Sequence, residues 1–342
     1  MTSCGTLHQA AITDTGDVYC WGQGGPRLGL GDAESRAVPI KVPRDHFADS
    51  KVVLISCGAV HTAAVTDAGG LYTWGFGGEG RLGHGDTAMR LTPTLVAAIG
   101  QRFGTGPLRA RVMTVSGGGF HTAAITEDGD LWTWGQGRDG ALGHGDRESK
   151  LLPTKVASPL VCGDSAWAAN VDCASSHTAA VAENGDIYTW GKGENGCLGH
   201  GDDDDRLSPT LNAHLRKCGA KVLHAACGHS HVLCVTHDGC VWSWGYGKTG
   251  ALGSDSMRHS LVPVPLETHS FGAKKAARVS RVPVLLALAF ASVTHARLGE
   301  DSEFAGLLLE LVERIIKVAW RPAWPAALLP QAEGIARLLG GV

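Results

Sequence analysis

The sequence has no marked excess of charge of either sign. Its 342 residues include 30 lysines and arginines against 33 aspartates and glutamates, and only 18% of the residues are charged. Non-specific binding to nucleic acid needs a strongly basic chain, so this balance excludes that class. We also expect no direct sequence-specific binding to nucleic acid. The hydrophobic content of 44% is that of a globular chain and argues against wholesale disorder.

Segments that would direct the chain into or across a membrane are also missing. The stretch from Met1 to Cys4 lacks the charged residues and the apolar run of a secretion signal. The longest nearly apolar run, residues 282–293, is too short to span a bilayer. No Asn-x-Ser/Thr site occurs. We therefore interpret the ten cysteines as reduced, mostly buried thiols of an intracellular protein, in the cytoplasm or nucleus, and expect no membrane association.

Glycine, in contrast, is abundant, and much of it belongs to a repeat. The chain has 48 glycines, about twice the usual ~7%. Five histidines are each followed thirteen residues later by a Trp-Gly pair. The histidines are His8, His61, His121, His177 and His231, and the tryptophans are Trp21, Trp74, Trp134, Trp190 and Trp244. A glycine follows every histidine by eight residues, and a proline follows every tryptophan by eighteen or nineteen. The period of 53 to 60 residues is typical of a repeat architecture.

Each repeat has the pattern of about four strands. In the second repeat, residues 62–66 and 71–74 alternate as two strands around the turn 67–70, which predicts a β-hairpin. A glycine-rich loop follows, and then Pro93, a residue that donates nothing to a strand ladder. Residues 52–56 add a further strand before the histidine. Four strands are the content of one propeller blade.

The repeated residues resemble a known family. Cys-Gly-x-x-His-Thr-Ala-Ala, then Gly-x-Leu-Tyr-Thr-Trp-Gly, then Gly-x-Gly-x-x-Gly-x-Leu-Gly-His-Gly-Asp resembles the regulator of chromosome condensation repeat, over residues 1–266. The resemblance implies an all-β fold of the seven-bladed β-propeller type, of which this chain carries about five four-stranded blades. Residues 267–342 depart from the pattern, and we expect a linker, an amphipathic helix at 302–318 and a Pro/Ala/Leu tail, hence a short α-helical C-terminal tail.

Five repeats leave about two blades of a seven-bladed ring unaccounted for, and a propeller removes its sheet edges only by closing. Three explanations stay open. The chain is an incomplete gene product, its C-terminal helix covers the exposed edge, or it closes by pairing with another chain.

Several motifs resemble sites of chemistry. The Gly-x-Gly-x-x-Gly stretches starting at Gly75, Gly135, Gly191 and Gly245 match a dinucleotide fingerprint, but no amphipathic helix follows them, so we interpret them as turns. The Cys-x-x-x-His pairs, such as Cys57 with His61, fall on different blades and do not supply four convergent zinc ligands. We instead expect each histidine to be hydrogen-bonded within its own blade. With no nucleophile elbow or paired carboxylates, we predict no catalytic residue, no enzyme activity, and neither cofactor nor metal.

The remaining candidates are structural anchors and a face for partners. We interpret the five tryptophans as blade-packing residues, and the five histidines as further anchors of the repeat. The residue just before each histidine varies while its neighbours stay fixed, which predicts a surface-presented interaction face. These residues are Leu7, Val60, Phe120, Ser176 and Ser230.

We therefore predict a non-catalytic, regulatory scaffold for protein–protein interaction. The alternative, implied by the resemblance, is a guanine nucleotide exchange factor for a Ran-like small GTPase. A third reading is that the repeats come from a larger regulatory protein, such as the ubiquitin ligases of the family. The expected partner is a protein, with a small GTPase or a chromatin component as the two kinds that the resemblance suggests.

Overall fold

Five sheets in chain order make up the fold. The computed structural model of the chain describes residues 1–97, 110–157, 168–254 and 256–266. Within these ranges, twenty strands form five four-stranded antiparallel sheets, in each of which every strand pairs with the next strand along the chain. This arrangement confirms the all-β, propeller-type fold with about five four-stranded blades.

The strands of each blade are as follows. Blade 1 contains β1 (Thr2–Cys4), β2 (His8–Ile12), β3 (Val18–Gly22) and β4 (Arg36–Lys41). Blade 2 contains β5 (Val52–Cys57), β6 (His61–Thr66), β7 (Leu71–Gly75) and β8 (Arg90–Leu95). Blade 3 contains β9 (Val112–Gly117), β10 (His121–Thr126), β11 (Leu131–Gly135) and β12 (Lys150–Lys155). Blade 4 contains β13 (Ala168–Cys173), β14 (His177–Ala182), β15 (Ile187–Gly191) and β16 (Arg206–Leu211). Blade 5 contains β17 (Val222–Cys227), β18 (His231–Thr236), β19 (Val241–Gly245) and β20 (Ser260–Pro265).

Helical structure is confined to short connections in the described residues. The α-helix α1 (Ala213–Lys217) joins blades 4 and 5, and the Asn212 side chain caps it by accepting a hydrogen bond from the Leu215 backbone. Single 3₁₀ turns occur at Pro26–Leu28, Arg44–Phe47, Gly78–Gly80 and Glu194–Gly196. No helix in the described part of the chain is long and apolar enough to cross a membrane. The expected helix at 302–318 lies outside the described residues, and the division into 1–266 and 267–342 stays a prediction.

The hydrophobic core lies between the blades. The first strands of neighbouring sheets contact one another, so the first strand of each blade is the innermost and the fourth the outermost. The second strands of blades 2, 3 and 4 are buried on both faces because a sheet packs on either side, and this explains their small residues, such as Ala63 and Ala64. One core cluster joins Cys20 of blade 1 to Trp74 of blade 2.

The hairpin turns between the second and third strands are formed by the glycines that recur in the repeat. The glycine eight residues after each histidine adopts a positive φ of 73 to 84°, which an L-residue with a Cβ rarely takes. These glycines are Gly16, Gly69, Gly129, Gly185 and Gly239. Their left-handed backbone lets the second strand turn directly into the third, and this fixes the register that the site depends on.

Candidate functional site: the blade joint and the loop face

One end of all five blades collects the predicted interaction residues. Each repeat histidine pairs with the glycine of its own Trp-Gly, as His61 does with Gly75. The loop before the second strand and the loop after the third strand therefore emerge at the same end of every sheet. We call this end the loop face. It is formed by the residues before the histidines (Leu7, Val60, Phe120, Ser176, Ser230) and those after the Trp-Gly pairs (Gln23, Phe76, Gln136, Lys192, Tyr246).

Backbone hydrogen bonds join these two sets of residues blade by blade. The amide of the residue after Trp-Gly donates to the carbonyl of the residue before the histidine, for example from Phe76 to Val60 at 3.1 Å. Leu7 and Phe120 are 53% and 41% exposed, while Val60, Ser176 and Ser230 are half-buried. The scaffold is thus fixed by the backbone while its side chains differ between blades.

The repeat histidines of blades 1 to 3 contact the next blade, and we call this hydrogen-bonded contact between neighbouring blades the joint. Nε2 of His8, His61 and His121 lies 2.8, 2.9 and 2.8 Å from Oγ1 of Thr62, Thr122 and Thr178 respectively. Each of these threonines belongs to the next blade along the chain, so the expectation of a hydrogen bond within the same blade is wrong. Blade 5 has a valine, Val232, at the position that corresponds to these threonines.

The same joint includes the repeat tryptophans. The indole Nε1 of Trp74 donates to the carbonyl of Arg27 at 3.0 Å, and the hydroxyl of Thr62 donates to that carbonyl at 3.0 Å. Trp134, Trp190 and Trp244 likewise donate to the carbonyls of Arg81, Ala141 and Cys197 in the preceding blade. All four indoles are fully buried, and burying 150–250 Å² of such a ring is worth about 4–6 kcal/mol.

Hydrogen bonding assigns the histidine tautomer. Because the Thr62 hydroxyl gives its proton to the Arg27 carbonyl, its oxygen accepts from His8, which must then be protonated at Nε2. Burial, with a smaller contribution from the charge of Arg27, lowers the pKa of His8 to about 3. Burial and the charge of Arg81 lower the pKa of His121 to about 4. These imidazoles are neutral structural donors at physiological pH, and not proton carriers.

Glycine makes room for each indole. A Cβ on Gly83 would lie 2.8 Å from Nε1 of Trp134, and the corresponding distance from Gly199 to Trp244 is 2.7 Å. Both glycines adopt positive φ, 81 and 75°. The glycine of the repeated Leu-Gly therefore leaves the space that the tryptophan of the next blade occupies. We call this glycine position the tryptophan seat.

Within the described part of the chain, blades 1 and 5 each differ from the others in one half of this contact. Trp21 in blade 1 is half-buried, whereas the other four repeat tryptophans are fully buried. In blade 5, Gly250 and Gly253 keep positive φ values of 74 and 64° but are exposed. Among the described residues, a Cβ on Gly253 would meet Leu266 Cδ1 alone, at 3.5 Å. The glycine backbone that forms the tryptophan seat in the other blades therefore has a similar left-handed conformation in blade 5.

The motifs that resemble catalytic or cofactor sites serve the fold. The Gly-x-Gly loops lead through single turns to Leu-Gly and the fourth strand, with no helix after them in the described residues. Among the described residues, no three His, Cys, Asp or Glu side chains converge as metal ligands. Burial raises the pKa of the Cys57 thiol to about 12, so this cysteine is not a reactive thiolate.

Sequence reasoning missed a second recurring contact. Asp32–Arg36, Asp86–Arg90, Asp146–Lys150 and Asp202–Arg206 form ion pairs of 2.6 to 3.1 Å that tie the loop to the start of the fourth strand. The spacing Gly-Asp-x-x-x-Arg/Lys, present in four repeats, was the available signal. The acidic run Asp202 to Asp205 is partly used in this way, since Asp205 also pairs with Arg147.

Comparison with known proteins agrees with this geometry. The regulator of chromosome condensation (RCC1) repeat matches residues 15–65, 68–125, 128–181, 184–235 and 238–286. The chain belongs to the RCC1 repeat family. Each of the first four matched segments begins near a hairpin turn and ends in the second strand of the following blade. An RCC1 repeat of this chain therefore contains the joint between two blades.

Curated relatives share the repeats over part of their length. The chain is 39% identical over 245 residues to the E3 ubiquitin-protein ligase HERC2 of Homo sapiens, covering 70% of this chain and 5% of that protein. It is 35% identical over 252 residues to the ultraviolet-B receptor UVR8 of Arabidopsis thaliana, covering 73% and 54%. The mitochondrial RCC1 domain-containing protein RUG3 of Arabidopsis thaliana is 35% identical over 273 residues, covering 78% and 57%. The chain thus spans at most about three fifths of these relatives.

Solved structures share the fold. Prp20p from Saccharomyces cerevisiae superposes with a TM-score of 0.65 at 24% identity, covering 77% of this chain and 62% of Prp20p. Human WBSCR16 gives a TM-score of 0.65 at 22% identity, covering 78% and 66%. At this identity the likeness shows the propeller fold alone.

Proposed function

We propose that this RCC1-repeat chain is a non-catalytic scaffold that binds a protein partner through its loop face. The observation that carries the proposal is the contrast within that face. Leu7 and Phe120 are large, apolar and exposed, while the histidines next to them, His8 and His121, are each 1% exposed and locked into the joint. A rigid frame that presents variable side chains loses little conformational entropy on binding, which favours recognition.

Substitution of the exposed apolar residues tests the loop face. The variant Leu7→Asp with Phe120→Asp places charges on the loop face and replaces no side chain that hydrogen-bonds in the joint, although it removes the ring that the Arg81 guanidinium contacts. The matched control is Val38→Asp with Val53→Asp, because these valines are 60% and 54% exposed on an outer and an inner strand away from the loop face. We expect quantitative pull-downs from lysate to lose their specific proteins with the first variant and to retain them with the control. Retention with both variants would contradict the proposal.

The alternative function, nucleotide exchange on a Ran-like GTPase, has a separate test. Yeast Prp20p has binding properties to Gsp1p and histones, and the shared fold makes a small GTPase or a chromatin component the first partners to try. Much of the long connection between the second and third repeats, residues 98–109, lies outside the described residues. Faster release of labelled nucleotide from a purified Ran-type GTPase in the presence of this chain would replace the scaffold proposal. The absence of enzyme activity and the intracellular location stay predictions.

A further inference from the structure

Two buried arginines occupy equivalent positions beneath the loop face, on the neighbouring blades 1 and 2. Arg27 and Arg81 occupy the same position of the repeat and are 7% and 6% exposed. The other blades have Ala141, Cys197 and Ala251 at this position, so the two charges are not part of the general joint. Burying a charge costs free energy unless the charge is paired, so the groups that contact these two guanidiniums decide how well the charges are compensated.

The partners of both guanidinium groups are neutral. Nη1 of Arg27 donates to Oε1 of Gln23 at 2.7 Å, and its Nε has no hydrogen-bond partner among the described residues. Arg81 donates from Nε to the Gly78 carbonyl at 2.8 Å and from Nη1 to the Gly119 carbonyl at 3.1 Å. The arginine ion pairs in the described ranges all belong to other arginines. No carboxylate among the described residues is within ion-pair distance of either guanidinium, although the charge of the exposed Glu79 stabilises the Arg81 charge from farther away.

Each guanidinium also crosses to the next blade and lies over an aromatic ring. Cζ of Arg27 is 5.2 Å from the ring centre of Phe76, and Cζ of Arg81 is 5.1 Å from that of Phe120. Such a cation–π contact holds a guanidinium in place but does not neutralise its positive charge. Burial lowers the pKa of both arginines, as expected for charges that their surroundings compensate incompletely.

Apolar residues of the loop face lie on the same three blades as the two arginines and their aromatic partners. Leu7 and Phe120 are exposed, and Val60 and Phe76 are half-buried. We name Arg27, Arg81, Leu7, Val60, Phe76 and Phe120 the arginine patch.

We propose that the arginine patch is a docking site for a protein segment in which an aspartate or glutamate side chain is flanked by apolar residues. This inference rests on the loop face being an interaction surface, as proposed above. A carboxylate accepts from a guanidinium through two oxygens, which suits the N–H groups that the hydrogen bonds described above leave on Arg27 or on Arg81. The flanking apolar side chains would cover Leu7, Phe76 and Phe120.

Peptide display on the full-length chain tests this chemistry. A phage library of 16-residue protein segments is selected on the wild-type chain and on two variants. One variant is Arg27→Gln with Arg81→Gln. The matched control, Arg138→Gln with Lys248→Gln, removes two exposed cations from loops of blades 3 and 5 on the same face. We expect enrichment of segments with Asp or Glu beside apolar residues on the wild-type chain and on the control, and its loss on the first variant.

A second measurement does not depend on whether the arginine variant folds. The most enriched peptide is titrated against the wild-type chain by fluorescence polarisation, and then again with its acidic residues replaced by Asn or Gln. We expect the amide peptide to bind about tenfold more weakly or worse, because hydrogen bonds to charged groups are lost. Equal binding of the two peptides overturns the inference, and so does tighter binding of a peptide with phosphoserine at the acidic position.

The outcomes separate this inference from the proposed function. Peptides that lose binding on the Leu7→Asp with Phe120→Asp variant, but show no preference for acidic residues, would overturn the arginine patch and leave the scaffold function standing. Failure to enrich any segment that depends on Leu7 and Phe120 would count against both.

Discussion

The seat for the tryptophan provides a matched pair of substitutions. Gly199 and Gly253 occupy the same repeat position and adopt φ values of 75 and 64°. A Cβ at Gly199 would lie 2.7 Å from Nε1 of Trp244, whereas at Gly253 its nearest neighbour is Leu266 Cδ1 at 3.5 Å. Gly199→Ala therefore combines backbone strain with a steric clash, while Gly253→Ala introduces the backbone strain alone.

The expected magnitudes follow from these two effects. An alanine in the left-handed region costs about 1–2 kcal/mol, and overpacking a tight interior costs about 1–3 kcal/mol more. We expect Gly253→Ala to lower the free energy of unfolding by the first amount and Gly199→Ala by the sum, about 2–5 kcal/mol. The Trp244 indole must also shift away from the Cys197 carbonyl, to which it donates at 3.0 Å.

Urea unfolding followed by circular dichroism measures both variants. Because blades are coupled mainly to their neighbours, unfolding in a repeat architecture is not necessarily all-or-none. Hydrogen exchange of the peptide containing Trp244 therefore serves as a local readout, and we expect it to lose protection in Gly199→Ala only. Equal destabilisation by the two substitutions, or unchanged protection near Trp244, would refute the steric reasoning.

Three further predictions concern the joints and the thiols. The unfolded chain takes up a histidine proton near pH 6.5, but folded His121 does so only near pH 4. Its contribution is therefore complete above pH 6.5 and falls by about 2 kcal/mol between pH 7 and 5, and His121→Gln should remove that part of the pH dependence in acid titrations of stability. Trp134→Phe should cost about 1–3 kcal/mol, because the indole hydrogen bond to the Arg81 carbonyl is lost and the smaller ring leaves a cavity, while the Thr122 hydroxyl still donates to that carbonyl. Trp21→Phe, at a half-buried indole, should cost clearly less, as urea midpoints would show. N-ethylmaleimide followed by mass spectrometry should label Cys218 before Cys240 among the described cysteines, since both are exposed but partial burial and then the charge of Asp238 raise the pKa of Cys240; the reverse order would contradict this.

Much of the fold could be predicted because its signals are local. The turn glycine, the alternating hairpin and the Trp-Gly pair lie within fourteen residues of one another, and each reflects backbone or strand chemistry that acts at short range. Their fivefold recurrence indicated four-stranded blades, and the structure confirms them. The interaction face at Leu7, Val60, Phe120, Ser176 and Ser230 stays a prediction, although all five residues lie at one end of the sheets.

The partner of each histidine could not be predicted in the same way. The threonine that accepts from His61 is 61 residues away, and it directly follows the next repeat histidine. The repeat pattern offers His61 two equivalent candidate partners, Thr62 in its own blade and Thr122 in the next blade. It therefore does not decide whether the hydrogen bond forms within one blade or between two. The same ambiguity hid the contact between Arg81 and Phe120.

The sequence by itself determined which residues bend the chain and which alternate in strands, because those preferences depend on the glycine backbone and on side-chain periodicity. Only the tertiary structure decided which blade supplies the other half of every joint. Stacking the sheets brings the Arg27 carbonyl to Trp74 and Thr62, and burial then keeps His8 neutral. That stacking also leaves Arg27 and Arg81 as buried charges under one face, which is a property of the assembled blades and not of any single repeat.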